Sequence, residues 1–263
     1  MAEAELLVEQ RGPIASVVFN RPAQRNALTG AMLEALKRFL LERASDTSLR
    51  VVVLRGAGGK AFSSGSDFTD LRRAQDRGVV PSSPDDPFEH TLRALVEFPL
   101  PLIALIRGFA VGGGCALAAA CDIRIAAESS RLGMPPAKLG LLYSQNELRP
   151  FLDLIGPGRT KLLFYSGRLF SATEALGFGL VDEVVPDEQV EAHTYQLAEE
   201  IANNAPLSVK NTKRVLNILT RLSLDAADLD EIEKLVRATQ ASQDLQEGQR
   251  AFLEKRRPRF VGR

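Results

Sequence analysis

Tryptophan is absent from this chain of 263 residues, and cysteine and histidine occur only twice each. With His90 and His193 far apart and no Cys/His cluster, a metal site is not expected. Cys115 and Cys121 lie six residues apart in one helical stretch, where they are poorly placed to bridge. They read as buried free thiols, which suits a reducing, cytoplasmic setting. Net charge is also lacking, because 33 basic residues balance 33 acidic ones. Neither a nucleic acid nor another polyanion is therefore implied as a partner. No uninterrupted apolar run is long enough to span a bilayer. Met1-Ala2-Glu3-Ala4-Glu5 has no apolar core, so a signal peptide is not expected.

What the chain does have is hydrophobic content, 45%, enough for one large domain or a domain with an appendage. It also has glycine in two telling places. Leu102 to Ile106 reads as a buried strand, and Gly108-Phe109-Ala110-Val111-Gly112-Gly113-Gly114 then leads into the Ala-rich run from Cys115 to Ala120, a buried helix. Glycines between a strand and a helix leave N–H groups open at a helix start, where the dipole favours negative charge. The same segment also reads as a tight turn with nothing bound. A second apolar strand, Val51 to Leu54, runs into Gly56-Ala57-Gly58-Gly59-Lys60-Ala61-Phe62-Ser63-Ser64-Gly65-Ser66-Asp67, with Asp67 able to cap the helix behind it. If the two strands are neighbours, the N–H groups of Ser66 and Gly113 converge on one oxygen. Such a pair stabilises charge developing on a carbonyl oxygen.

Around these turns the pattern alternates. Ile14 to Phe19 predicts a strand. Thr29 predicts the cap of a helix whose buried face is Met32, Leu33, Leu36, Phe39 and Leu40. A polar loop over 78–87, a helix around Leu92 to Val96 and a strand over Asp122 to Ala126 follow. The first half reads as an α/β unit of ββα repeats. From Asn146 the chain is mainly helical. Val181 to Val185 is the late strand, and helices are expected over Glu188–Asn203, Leu207–Leu222, Asp228–Ala241 and Leu245–Lys255.

Four stretches together resemble the crotonase, or enoyl-CoA hydratase/isomerase, superfamily. They are Arg21-Pro22 with Arg25-Asn26-Ala27-Leu28; Ala61 to Asp67; Gly108 with Gly112-Gly113-Gly114-Cys115 and Cys121-Asp122-Ile123; and Ala251-Phe252-Leu253-Glu254-Lys255-Arg256. The resemblance implies a spiral of ββα turns over residues 1–200 and a helical trimerisation region over 201–263, in trimers or dimers of trimers. It implies an acyl-CoA thioester as substrate, and so no separate cofactor. The thioester carbonyl would sit between the Ser66 and Gly113 amides. Arg25, Ala27, Ala61, Ser64, Gly65, Asp67, Phe68, Gly112, Pro135 and Leu139 would line the ligand. Phe252 and Lys255 would reach the adenine end of a neighbour's ligand.

Two departures from that pattern bear on the chemistry. Hydratases of the family carry a glutamate directly after Gly-Gly-Gly-Cys and a second in Gly-x-Pro-Glu. Here those places hold Ala116 and Pro136, neither of which transfers a proton. Loss of CO2 from a 2-carboxyacyl thioester needs no base. The run Met134-Pro135-Pro136 and Leu139-Gly140-Leu141-Leu142 is apolar and ends in Tyr143, whose phenol can orient a carboxylate. This segment resembles the methylmalonyl-CoA decarboxylase branch, which has histidine where this chain has Ser66 and a hydroxyl side chain at the place of Pro135. The leading expectation is a decarboxylating lyase. An isomerase or hydratase variant using Glu147 or Tyr143 and a non-catalytic acyl-CoA scaffold are the alternatives. A serine hydrolase ranks last, because Ser66 has no histidine partner. Glu147 also reads as an ordinary helix-start residue facing solvent.

Overall fold

Alternate side chains of a strand face opposite ways, so an all-apolar strand must be covered on both faces. This sorting organises the fold. The computed structural model describes residues 4–76, 86–139, 142–220 and 241–263, with 227, 230, 231, 234, 235, 237 and 238. Five parallel strands, β2 (Ile14–Phe19), β3 (Val51–Gly56), β5 (Leu102–Ile106), β7 (Ile123–Ala127) and β10 (Glu183–Val185), form the large sheet in that order. In β3, Val52 and Leu54 join the main core with α1 (Gly30–Arg43) and α3 (Pro87–Glu97). Val51 and Val53 face the other way, onto Val190 and Ala198 of α8 (Val190–Ala202). The edge strand β1 (Leu6–Arg11) pairs antiparallel with β2 across a turn at Gly12. It escapes the sequence pattern because Val8 to Arg11 are exposed and carry no apolar alternation.

A second, smaller sheet takes short strands in the order β4 (Ala61–Ser63), β6 (Phe109–Val111), β8 (Arg131–Gly133) and β9 (Phe170–Ser171). Three of the long strands are each followed at once by a short one in this second sheet, and then by a helix. Thus β3 leads to β4 and α2 (Phe68–Asp76), and β5 leads to β6 and α4 (Gly113–Ala119). Likewise β7 leads to β8 and α5 (Pro136–Leu139). This is the expected ββα spiral. Because β4 and β6 are parallel neighbours, with Ala61 opposite Phe109 and Ser63 opposite Ala110, their C-terminal turns emerge side by side.

The helices follow the local signals. Thr29 caps α1 by accepting Met32 N–H at 3.1 Å, and Met32, Leu33, Leu36, Phe39 and Leu40 are its buried residues, as expected. Each such burial contributes about 1.5–3 kcal/mol. Asp67 Oδ1 accepts from Thr69 and Asp70 N–H at 2.9 and 3.2 Å, so it caps α2. The long α6 (Gln145–Ser166) breaks at Gly156 before Pro157. After it come α7 (Ala172–Phe178), α8, α9 (Pro206–Leu219) and α10 (Gln243–Leu253). Pro206 starts α9 at its first turn, where a missing N–H costs nothing. Lys213 ties α9 to the sheet, donating to Leu100 O and pairing with Asp122 Oδ2 at 2.7 Å. Of the loop expected over 78–87, only Asp86 and Pro87 lie inside the described residues, and half of the helix expected over Asp228–Ala241 lies outside them. No helix among the described residues is long and apolar enough to cross a membrane.

Candidate active site

The two glycine turns meet. Leu28 N–H donates to Gly65 O at 2.8 Å and Leu28 O accepts from Asp67 N–H at 2.8 Å, in a parallel bridge between Leu28 and Ser66. In that pattern the N–H of Ser66 itself points away from Leu28, toward the glycines that follow β6. Gly113 begins α4, so its N–H has no partner within the helix. Neither amide has an acceptor among the described residues. A Cβ added to Gly65 would lie 2.8 Å from Val111 O and 3.5 Å from Gly113 N, so this approach requires glycine. A Cβ at Gly113 would stand 3.3 Å from Ser66 Oγ and 3.1 Å from the Phe88 ring. Gly65, Ser66, Gly112 and Gly113 are thus brought together.

Behind the first turn, Arg25 and Asn26 adopt left-handed backbone, with φ of 52° and 56°. The buried Asn26 side chain holds that shape. Its Oδ1 accepts from Arg21 N–H at 3.0 Å, and its Nδ2 donates to Ala57 O and Ala61 O at 3.0 and 2.7 Å. Arg25 O accepts Ser64 N–H at 3.0 Å, and the Arg25 guanidinium stands 5.8 Å from the Phe109 ring centre. Arg21 bridges Ala27 O and Asp67 Oδ2 at 2.7 and 2.9 Å. Burial opposes ionisation of Asp67, yet Arg21 and the amides of Asp70 and Thr69 hold its carboxyl below the usual range. Ala61 is buried in β4, whereas Phe68 is exposed at the start of α2.

Tyr143 borders the second turn. Its hydroxyl lies 3.6 Å from where a Cβ on Gly112 would be, and its ring packs edge-on against Phe164 with centroids 5.9 Å apart. The hydroxyl has no hydrogen-bond partner among the described residues. Burial first, then the charge of Glu147 and the Cys115 sulfur, push its ionisation above the ordinary range, so it stays a neutral donor. Ala116 is buried in the core beside Cys115, whose sulfur accepts Gly133 N–H. Pro136 is buried and Pro135 half-buried.

Glu147 does not face solvent, contrary to the plain reading of a helix-start residue. It is buried at the third position of α6, where its Oε2 accepts Ser144 N–H at 2.8 Å while Ser144 Oγ accepts Glu147 N–H at 3.2 Å. Sequence reasoning missed Glu89 altogether. It is buried on α3, accepts the Ser144 hydroxyl on Oε1, and accepts Asn146 Nδ2 on Oε2 at 2.9 Å. Its one signal was its place three residues after the cap Asp86.

Other candidates stand apart. His193 pairs with Glu183 at 2.5 Å, and Arg256 pairs with Glu247 and Glu254 at 2.6 and 2.5 Å. Lys255 is exposed beyond α10, and no hydrogen bond or ion pair among the described residues ties it to the turns. The side chains of Leu139 and Phe252 lie outside the described residues. No group of three or more His, Cys, Asp or Glu residues among those described could hold a metal ion.

A two-sheet ββα spiral whose two glycine turns lie against each other defines a class of proteins. Residues 9–263 match the family model for enoyl-CoA hydratase/isomerase, and the chain belongs to that family. It is 32% identical over 260 residues to 2,3-dehydroadipyl-CoA hydratase of Escherichia coli K12, covering 99% of this chain and 100% of that one. It is 32% identical over 251 residues to methylmalonyl-CoA decarboxylase of the same organism, covering 95% of each. Among solved structures, an enoyl-CoA hydratase from Bacillus anthracis superposes with a TM-score of 0.91 at 34% identity, covering 99% of this chain and 100% of that one.

Proposed function

We propose that this protein holds an acyl-CoA thioester carbonyl between the amides of Ser66 and Gly113 and decarboxylates a methylmalonyl-like carboxyacyl-CoA. One observation carries the reading. The protonated Tyr143 hydroxyl reaches Gly112, while the places of the two hydratase glutamates hold Ala116 and Pro136. The Cα–carboxylate bond breaks, its electron pair enters the thioester enolate, and CO2 departs neutral. The two amides take up the enolate charge without reorganising. The Tyr143 phenol orients the departing carboxylate, and the nearby apolar wall, with Met134 and Phe88 buried, weakens its solvation. By family likeness, Arg25, Ala27, Ser64 and Gly65 run along the CoA chain. Residues 201–263 serve self-association in trimers or dimers of trimers, which light scattering of the purified protein would test.

A second reading, an isomerase or hydratase variant, is favoured by the burial of Glu147 beside Tyr143. The deciding experiment incubates the protein separately with methylmalonyl-CoA and crotonyl-CoA and follows both by mass spectrometry. Loss of CO2 from the first alone is expected. Addition of water to the second would displace the decarboxylase reading in favour of the variant, and inertness toward both would overturn the two readings together.

A further inference from the structure

Three helices carry a glutamate three residues after their cap: α3, α6 and α7. Glu147 and Glu174 reach back to the amides of Ser144 and Ser171 at 2.8 Å and close their own capping boxes. Glu89 does not. Asp86 alone caps α3, accepting Phe88 N–H at 2.9 Å. The Glu89 carboxylate instead turns to residues 55 and 57 positions away, Ser144 and Asn146. Both flanks of this contact border the second glycine turn. Phe88, before Glu89, packs at Gly113, and Tyr143, before Ser144, packs at Gly112. A carboxylate only 5% exposed, held between two segments that each border the second glycine turn and not needed for its own helix, has no local duty.

We propose that Glu89 is the proton-transfer group at the thioester α-carbon, taking over work that neither Ala116 nor Pro136 can do. The proposal rests on the thioester-enolate reading above, whichever bond is broken first. After CO2 leaves, the enolate carbon takes a proton from the Glu89 carboxyl, and Glu89 recovers one from water. In reverse, the Glu89 carboxylate accepts an α-proton from a saturated acyl-CoA, the C–H electron pair entering the enolate held by Ser66 and Gly113. Ser144 and Asn146 fix the carboxylate and act as positioning residues.

The test uses propionyl-CoA in D2O, with α-deuteration followed by mass spectrometry and binding by calorimetry. The wild type is expected to introduce one deuterium. Glu89→Gln should bind propionyl-CoA and melt as the wild type does, yet exchange about 10²–10⁴-fold more slowly. Wild-type exchange in Glu89→Gln would overturn the proposal. Binding without any exchange by the wild type would overturn it too, leaving the thioester reading intact, whereas absence of binding would overturn both. Should Glu89→Gln fold poorly, Asn146→Ala at the exposed end of the contact decides. It withdraws one of the two donors that fix the carboxylate. Exchange should then slow with propionyl-CoA binding and the melt unchanged, and unslowed exchange would mark Glu89 as structural.

Discussion

Replacing Gly65 by alanine tests the convergence of the two turns directly. Gly65 sits at φ 96°, and its new Cβ would press to 2.8 Å on Val111 O, beside Gly113 N at 3.5 Å. To regain ordinary contact at 3.4 Å the turns must part by about 0.6 Å. That is enough to pull one amide off a shared oxygen, and losing one such donor costs on the order of 10²–10³ in rate. The backbone strain adds about 1–3 kcal/mol, lowering the melting temperature by roughly 2–12 °C. Gly156→Ala is the matched control, because its φ is 68° and nothing lies within 4 Å of the added Cβ. It bears the strain without the collision. Turnover of whichever substrate the wild type consumes, methylmalonyl-CoA or crotonyl-CoA, is the assay, alongside a thermal melt. Gly65→Ala should lose kcat/KM by 10²–10³ while Gly156→Ala keeps it. Equal losses in the two variants, or full activity in Gly65→Ala, would refute the shared cradle.

The other predictions are briefer. Tyr143→Phe removes a hydrogen bond to a charged group, about 1.5–3 kcal/mol, and should cut decarboxylation roughly ten- to a hundredfold. Glu147→Gln should leave decarboxylation within a few-fold, and the reverse ranking in steady-state kinetics would favour the isomerase or hydratase variant. Asn26→Ala strands the buried Ala61 O and leaves two other groups unpaired. A loss of about 3 kcal/mol, or roughly 6–12 °C in a melting curve, is expected, and an unchanged melt would refute the role given to its side chain. Burial pushes the Cys115 and Cys121 thiols up to about 12. Their folded values lie above the unfolded ones, so the folded state holds its thiol protons longer. The stability this contributes is present below about pH 8.5 and falls as pH rises toward 12. Denaturant titrations at rising alkaline pH should show that decline, and slow alkylation of both thiols in the native protein should accompany it.

Much of this architecture is legible in short stretches. Thr29 and the five apolar residues behind it name their helix, because capping and a 3.6-residue period act within one turn. Val51 to Leu54 announces a strand covered on both faces. The Gly65 and Gly112 turns are visible as glycine clusters, yet their meeting depends on β4 lying parallel beside β6, a pairing between residues about fifty positions apart. Leu6–Arg11 hides because an edge strand need not alternate. Glu147 is hard to place for a related reason: its polarity reads as exposure, whereas the capping box with Ser144 satisfies it inside.

The same contrast decides how the missing glutamates should be weighed. That Ala116 and Pro136 cannot move protons follows from two letters and needs no structure. It does not follow that the site has no carboxylate, because an acid can enter from any element that borders the amides. Here α3 and α6 each bring one, Glu89 and Glu147, and Ser144 touches both. Glu89 is the informative member, since its own helix is already capped by Asp86 and its hydrogen bonds all run to a distant segment. A buried carboxylate without a local duty needs compensation for its desolvation, and Ser144 and Asn146 supply it. Proton transfer from a new direction would let the fold keep its oxyanion cradle while changing which bond it breaks.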